Sequence, residues 1–293
     1  MRCVAPAADQ VYTTLRRSWQ CNPGPCVPMR GTAWAVDIDD DKFIATWAPG
    51  HRKPVFEAGL CAAEYVDATG IGAGCPVRAA DGALTVAEGG GVLAVLRRVP
   101  GRPLRADDPL DQQWWGSTLG AVHRSLRRFV HPALAKFDLA VVRHDGPHLS
   151  MEPWLRPAIT ETAASVRRIM VTDQLTYGVL HGTPEAADFR LDSSTGRVGL
   201  VCWSGAGTGP LLYDLATAVV AAGGLSAAAS LVDGYLHAAP TPADECEAVL
   251  PALLRLRVVL RAGEVAARIH AGGGTPADHA RLTRLAAMYA TLT

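Results

Sequence analysis

The chain has 293 residues, 49% of them apolar, and its 28 Lys+Arg balance 28 Asp+Glu to a formal net charge of zero. That length buries a substantial core, as one large domain or two lobes. Balanced charge removes the global field with which proteins attract DNA, RNA or an anionic membrane, so neither a nucleic-acid nor a membrane partner is expected. From residue 32 to about 99 the pattern reads as strands, with turn signals at Asp39-Asp40-Asp41, Ala48-Pro49-Gly50 and Asp81-Gly82. One helix interrupts them at 55–69, where Phe56, Leu60, Ala63 and Val66 recur at helical spacing. Strands at 84–88 and 92–98 follow, joined by a turn at Gly89-Gly90-Gly91. Pro100-Gly101-Arg102-Pro103 reads as a hinge. Beyond it the chain turns helical, first at 109–130, where Trp115, Leu119, Val122, His123 and Leu126 form a stripe, then at 157–171 and 248–270. The expected division is therefore an N-terminal lobe at 1–99 and a helical C-terminal lobe at 100–293.

No apolar run reaches the ~20 residues that span a bilayer. The first ten residues lack the apolar core of a signal peptide, and a cytoplasmic location is expected. The seven cysteines, Cys3, Cys21, Cys26, Cys61, Cys75, Cys202 and Cys246, are scattered without the paired spacing of a zinc site, as fits reduced thiols.

Between residues 180 and 216 lies an irregular region with a recognisable frame. It contains Leu180-His181-Gly182-Thr183-Pro184-Glu185-Ala186-Ala187-Asp188, then Val201-Cys202-Trp203, then Pro210-Leu211-Leu212-Tyr213-Asp214-Leu215-Ala216. With the upstream Leu119-Gly120-Ala121-Val122-His123, this order and spacing resembles the aminoglycoside phosphotransferase and choline kinase family over roughly residues 31–235. The resemblance implies an α+β, two-lobed protein-kinase-like fold. Its smaller N-terminal lobe is mainly antiparallel β with one helix, and its larger C-terminal lobe is mainly α-helical. It also implies ATP and Mg2+ as cofactors, and a small-molecule substrate.

The chemical positions of that frame differ here. Family members place a catalytic aspartate where this chain has Thr183, a metal-binding asparagine at Asp188 and the main metal aspartate at Cys202. A neutral hydroxyl cannot take a proton at pH 7, and a soft thiol is a poor ligand for Mg2+, which demands hard oxygens. Asp188 keeps an oxygen ligand and is the candidate for a metal. The strand position that carries the family's phosphate-binding lysine is Thr46. Lysine occurs only at Lys42, Lys53 and Lys136, and Lys42 lies four strand residues away, about 13 Å at ~3.3 Å per residue. Lys53 and Arg52 reach the cleft only if their loop folds back over it. Glu57 matches the glutamate that pairs with that lysine, or is a first-turn glutamate favoured by the helix dipole. Arg30-Gly31-Thr32 offers one glycine where a phosphate loop prefers several.

Four residues are candidates for chemistry at the cleft floor: His181, Asp188, Cys202 and Glu185. Each has a structural alternative, a brace for His181, a helix cap for Asp188, an inert buried thiol for Cys202 and a solvent-facing turn residue for Glu185. Three functions compete: a degenerate family member whose cleft binds or transforms a metabolite, an atypical small-molecule O-phosphotransferase using displaced Lys53, Glu185 and Asp188, and a hydrolase, cyclase or lyase in the old pocket. Trp114, Trp115, Trp154 and Tyr235 are candidates for an aromatic pocket or for core. Asp107, Asp108 and Asp111 form an acidic group suited to a polycation, or a helix N-terminus. Substrate identity and oligomeric state are not encoded in any recognisable motif.

Overall fold

A computed structural model describes residues 4–29, 31–137, 146–171 and 175–292. Cys3 and Arg30 lie outside the described residues. The chain begins with α1 (Ala8–Ser18), β1 (Val27–Pro28), β2 (Ala33–Ile38) and β3 (Asp41–Pro49), followed by α2 (Lys53–Ala68). Next come β4 (Pro76–Val77), β5 (Val86–Glu88), β6 (Gly91–Arg97) and β7 (Arg102–Pro103). The central elements are α3 (Pro109–Ser125), β8 (Ala135–Lys136), α4 (Leu155–Met170), β9 (Tyr177–Leu180), β10 (Phe189–Asp192), β11 (Arg197–Leu200) and β12 (Gly207–Pro210). Helices α5 (Leu212–Ala222), α6 (Ala229–Ala238), α7 (Ala243–Arg268) and α8 (Pro276–Leu292) complete it. This is the expected α+β class, with an antiparallel sheet toward the N-terminus and helices toward the C-terminus.

The residues fall into two compact units: Met1–Pro103 with Ser125–Ala135 and Ala187–Gly207, and Leu104–Arg124 with Lys136–Ala186 and Thr208–Thr293. In the first unit the main sheet runs β1-β2-β3-β6-β4, with β5 also on β6. Strand side chains alternate between faces, and the two faces have different partners. Ala45, Trp47, Leu93 and Val95 pack with Trp34 and with Val11 and Leu15 of α1. Ala48, Val92 and Ala94 pack instead with Phe56 and Leu60 of α2. Thr46 shares the strand phase of Ala48 and therefore belongs to the α2 face. Gly89 and Gly90 form the β5–β6 turn with positive φ. The expected hinge at 100–103 is partly a strand, since Arg102 pairs Leu191 and Pro103 pairs Arg190.

In the second unit α3 and α6 cross at close quarters. A Cβ on Gly116 would lie 1.9 Å from the Leu231 carbonyl oxygen, and one on Gly234 would lie 2.4 Å from that of Gln113. Only glycine permits this backbone approach. The approach brings Tyr235 of α6 to His123 of α3, with Nδ1 and the phenol oxygen 3.0 Å apart. Both residues are buried, as is Trp115, so these aromatic groups serve packing rather than an open pocket. Trp154 stacks on Tyr289 at 5.3 Å between ring centroids. The acidic group at α3 is a helix start: the Asp108 carboxylate accepts from the Leu110 and Asp111 N–H groups, and Asp107 pairs with Arg105. No helix among the described residues is long and apolar enough to cross a membrane.

Candidate functional site

In the first unit the β10–β11 hairpin sets the geometry. Its turn is tied by the Asp192 carboxylate, which accepts from the Ser194 N–H and from the Ser194 and Thr195 hydroxyls. Register pairs Phe189 with Leu200, so the residues just outside the hairpin's open end, Asp188 and Val201-Cys202, meet. The Val201 N–H donates to the Asp188 carbonyl at 2.9 Å. Cys202 adopts φ 74°, ψ 47°, a left-handed conformation in which aspartate and asparagine are several-fold enriched over other non-glycine residues. Its neighbour Trp203 is buried and donates Nε1–H to the Leu200 carbonyl at 2.9 Å. On the other side α2 abuts this turn at Gly59, where a Cβ would lie 2.2 Å from the Trp203 carbonyl oxygen. The backbone at 202 is thus fixed from both flanks.

The Cys202 thiol is hydrogen-bonded to the Asp188 carboxylate. Desolvation by the surrounding protein, then the Asp188 charge and that hydrogen bond, push the thiol up to about 12, with Arg190 opposing. Cys202 is nevertheless exposed as a residue, so solvent screens part of the desolvation and the Asp188 carboxylate is the firmer cause. Because the folded pKa is raised, the thiol's contribution to stability is complete below the unfolded value near ~8.5 and is lost as pH rises toward the folded one. The thiolate is the reactive form. Iodoacetamide is therefore expected to alkylate Cys202 more slowly than an unhindered cysteine at pH 8, by about tenfold once solvent screening and the greater nucleophilicity of a basic thiolate are allowed for. Asp188→Asn should speed that reaction, as read by peptide mass spectrometry; an Asp188→Asn rate equal to the parent's refutes the carboxylate as the cause.

The other positions that the resemblance assigns to nucleotide lie on the same unit. Lys53 opens α2, and its Nζ stands 3.8 Å from Glu57 one turn on. Glu57 also accepts the Thr85 hydroxyl at 2.5 Å. Arg52 donates to the Ser204 carbonyl at 3.2 Å. The glutamate that the resemblance assigns to a strand lysine is instead engaged by a lysine of its own helix and by a threonine.

In the second unit the centre is Asp214, in the first turn of α5 and 0% exposed. Its carboxylate accepts the backbone N–H groups of His181 at 2.7 Å and Gly182 at 2.9 Å, and faces His123 Nε2 at 3.2 Å. A carboxylate only accepts, so His123 carries its proton on Nε2 when neutral and Nδ1 accepts from Tyr235. Tyr235 in turn accepts from Thr241, 3.3 Å away, and burial raises its phenol pKa. The result is one directed chain, Thr241 to Tyr235 to His123 to Asp214, clamping the end of β9.

The turn after Gly182 leaves Thr183 exposed. Trp115 holds it by donating Nε1–H to the Pro184 carbonyl at 3.0 Å. Glu185 differs from its expected solvent-facing position: it is half-buried, and its Oε1 receives Arg261 Nη2 at 2.7 Å. Arg261 also pairs with Glu264, which holds the buried Arg257. Arg257, Arg261 and Glu264 share α7, but the sequence reading missed them because Glu185, the partner that ties Arg261 to the motif region, lies 76 positions earlier in the chain. Among the four candidates, Asp188 and Cys202 come together in the first unit, while His181 and Glu185 belong to the second.

A flanked antiparallel sheet and a helical unit that clamps a His-Gly turn through a helix-borne aspartate define a protein-kinase-like phosphotransferase fold. The chain belongs to the phosphotransferase enzyme family, whose model matches residues 32–248. Among solved structures it is similar to a microcompartment-associated aminopropanol kinase, with 19% identity, a TM-score of 0.77 and coverage of 98% of this chain and 96% of that one. An amicoumacin kinase in complex with AMP-PNP and Ca2+ has 17% identity, a TM-score of 0.69 and coverage of 89% and 85%. A choline/ethanolamine kinase family protein from Mesorhizobium loti has 15% identity, a TM-score of 0.68 and coverage of 97% and 94%. Likeness at these identities establishes the fold. No curated protein matches the chain.

Proposed function

We propose that this protein is a degenerate member of its family, which does not carry out ordinary ATP-dependent phosphoryl transfer and which binds or transforms a small metabolite in the cytoplasm. The observation that carries the reading is the placement of the Cys202 thiol beside the Asp188 carboxylate, at the two positions the family motif assigns to metal. Mg2+ needs anionic or neutral oxygens in near-octahedral array, and this pair offers a soft sulfur and a carboxylate already accepting from it. The residues do not fit the metal. Thr183 in place of the base and Thr46 in place of the lysine point the same way. Loss of one such electrostatic contact costs about 2.7–4 kcal/mol in a transition state, and several together leave little transfer even though they are not additive. Asp188 and Cys202 in the first unit, and His181 and Glu185 in the second, remain the proposed functional residues, and the proposed division of the chain falls near residue 99.

Calorimetric titration with ATP and Mg2+ tests this. The expected result is no Mg2+-dependent binding at millimolar ATP. Micromolar, metal-dependent binding with phosphorylation of a hydroxylated metabolite overturns it.

One observation favours the second reading, an atypical O-phosphotransferase: a lysine–glutamate pair does exist, built from Lys53 and Glu57. The solved neighbours include kinases named for aminopropanol and for choline or ethanolamine, so a small hydroxylated amine is the substrate class to try. If activity is found and Lys53→Ala leaves it intact, this reading fails.

A further inference from the structure

The helical unit contains a cavity of about 830 Å3 framed by the end of α5, the turn that follows it and α8. Its size lies within the roughly 300–1,000 Å3 of small-molecule sites. Leu225, Leu285 and Met288 supply an apolar wall, and Arg261, Arg281 and Arg284 line the same space. Nearby carboxylates are already engaged. Asp278 accepts from the Thr275 N–H and hydroxyl at 3.1 and 2.8 Å and pairs with Arg268. Glu185 and Glu264 answer Arg261. Among the described residues neither Arg281 nor Arg284 takes part in an ion pair. Arg281 is half-buried, and burial first, then Arg261, Arg268 and Arg284, lower its pKa from the usual arginine range against the pull of Glu185. Arg261 and Arg268 have carboxylate partners, whereas Arg281 and Arg284 stand beside the apolar wall without an ion pair among the described residues, with Asp278 and Glu185 acting on Arg281 only from a distance.

We propose that this cavity binds a small organic anion, a carboxylate or phosphate ester with an apolar body, its charge held by Arg281 and Arg284. Guanidinium forks match both anions in bidentate geometry, and the apolar wall takes the remainder. The proposal narrows the ligand class of the small-molecule reading above, yet stands whether or not phosphate is transferred.

The test is calorimetry on the full chain with 4-phenylbutyrate and phenyl phosphate, against 4-phenylbutylamine as the cationic counterpart. At least one of the anions binds while the amine does not, and the Arg281→Gln/Arg284→Gln variant loses affinity by about tenfold or more with its ligand-free unfolding temperature unchanged. The two anions separate carboxylate from phosphate recognition. No anion binding at millimolar concentration, equal binding of the amine, or unchanged binding in the double variant overturns the proposal. ATP with Mg2+ is titrated into the same variant: metal-dependent binding that survives both substitutions overturns the degenerate-kinase reading and leaves the anion site standing.

Discussion

Asp214→Ala is expected to lose about 3–5 kcal/mol of folding stability, the cost of breaking a buried charged interaction from one side. The carboxylate lies at 0% exposure and receives two backbone N–H groups and one imidazole. Its removal leaves three donors in a dry site, each costing about 1–3 kcal/mol when unmet, with sums that fall short of additivity. Denaturant unfolding reads the loss directly. His123→Ala added to Asp214→Ala should cost less than His123→Ala alone, since the imidazole has by then lost its acceptor, and the difference is a coupling energy of about 0.5–3 kcal/mol. A loss below ~1 kcal/mol in Asp214→Ala would mean that water enters and satisfies the donors, and the clamp on β9 would have to be sought elsewhere.

Cys202→Asp is expected to create a response to Mg2+ that the parent protein lacks. The left-handed backbone at 202 suits aspartate, and the new carboxylate stands beside Asp188. Without metal the two like charges repel and raise one carboxylate's pKa, so the variant is less stable than the parent at neutral pH and recovers as pH falls. With Mg2+ at one hundred times its Kd the variant gains about 2.7 kcal/mol, visible as a metal-dependent rise in melting temperature. If Mg2+ leaves the melting temperature of Cys202→Asp unchanged, positions 188 and 202 do not retain ligand spacing, and a single substitution cannot account for the metal's loss.

The sheet was legible in the sequence because alternation was strong: Ala45 and Trp47 point to one face, Thr46 and Ala48 to the other, and the β5–β6 turn announced itself in three glycines. Helix α2 was readable from Phe56, Leu60, Ala63 and Val66, all of which are buried. Helix α1 was not, since its apolar content is small and its place depends on Trp34 and Trp47, residues the chain reaches only later. The frame of the site could be read from motif spacing, but its electrostatics could not. Glu185 looked like a solvated turn residue because its partner, Arg261, lies 76 positions further on. The arginines of the helical cavity share no local motif: they come from α7 and α8 and become one feature only when the helices are packed. The acidic group at 107–111 had two equal readings in sequence, and the hydrogen bonds from Leu110 and Asp111 to Asp108 select the helix start.

The directed chain from Thr241 to Asp214 also limits what the helical unit can transmit. A proton relay works only if every member can reverse, donating where it had accepted. Reversal here would turn a bare imidazole nitrogen toward a carboxylate, placing two lone pairs face to face across 3.2 Å. With a neutral imidazole the chain therefore runs in one direction only, and the Nε2–H that faces Asp214 fixes the orientation of the carboxylate that holds the His181-Gly182 turn.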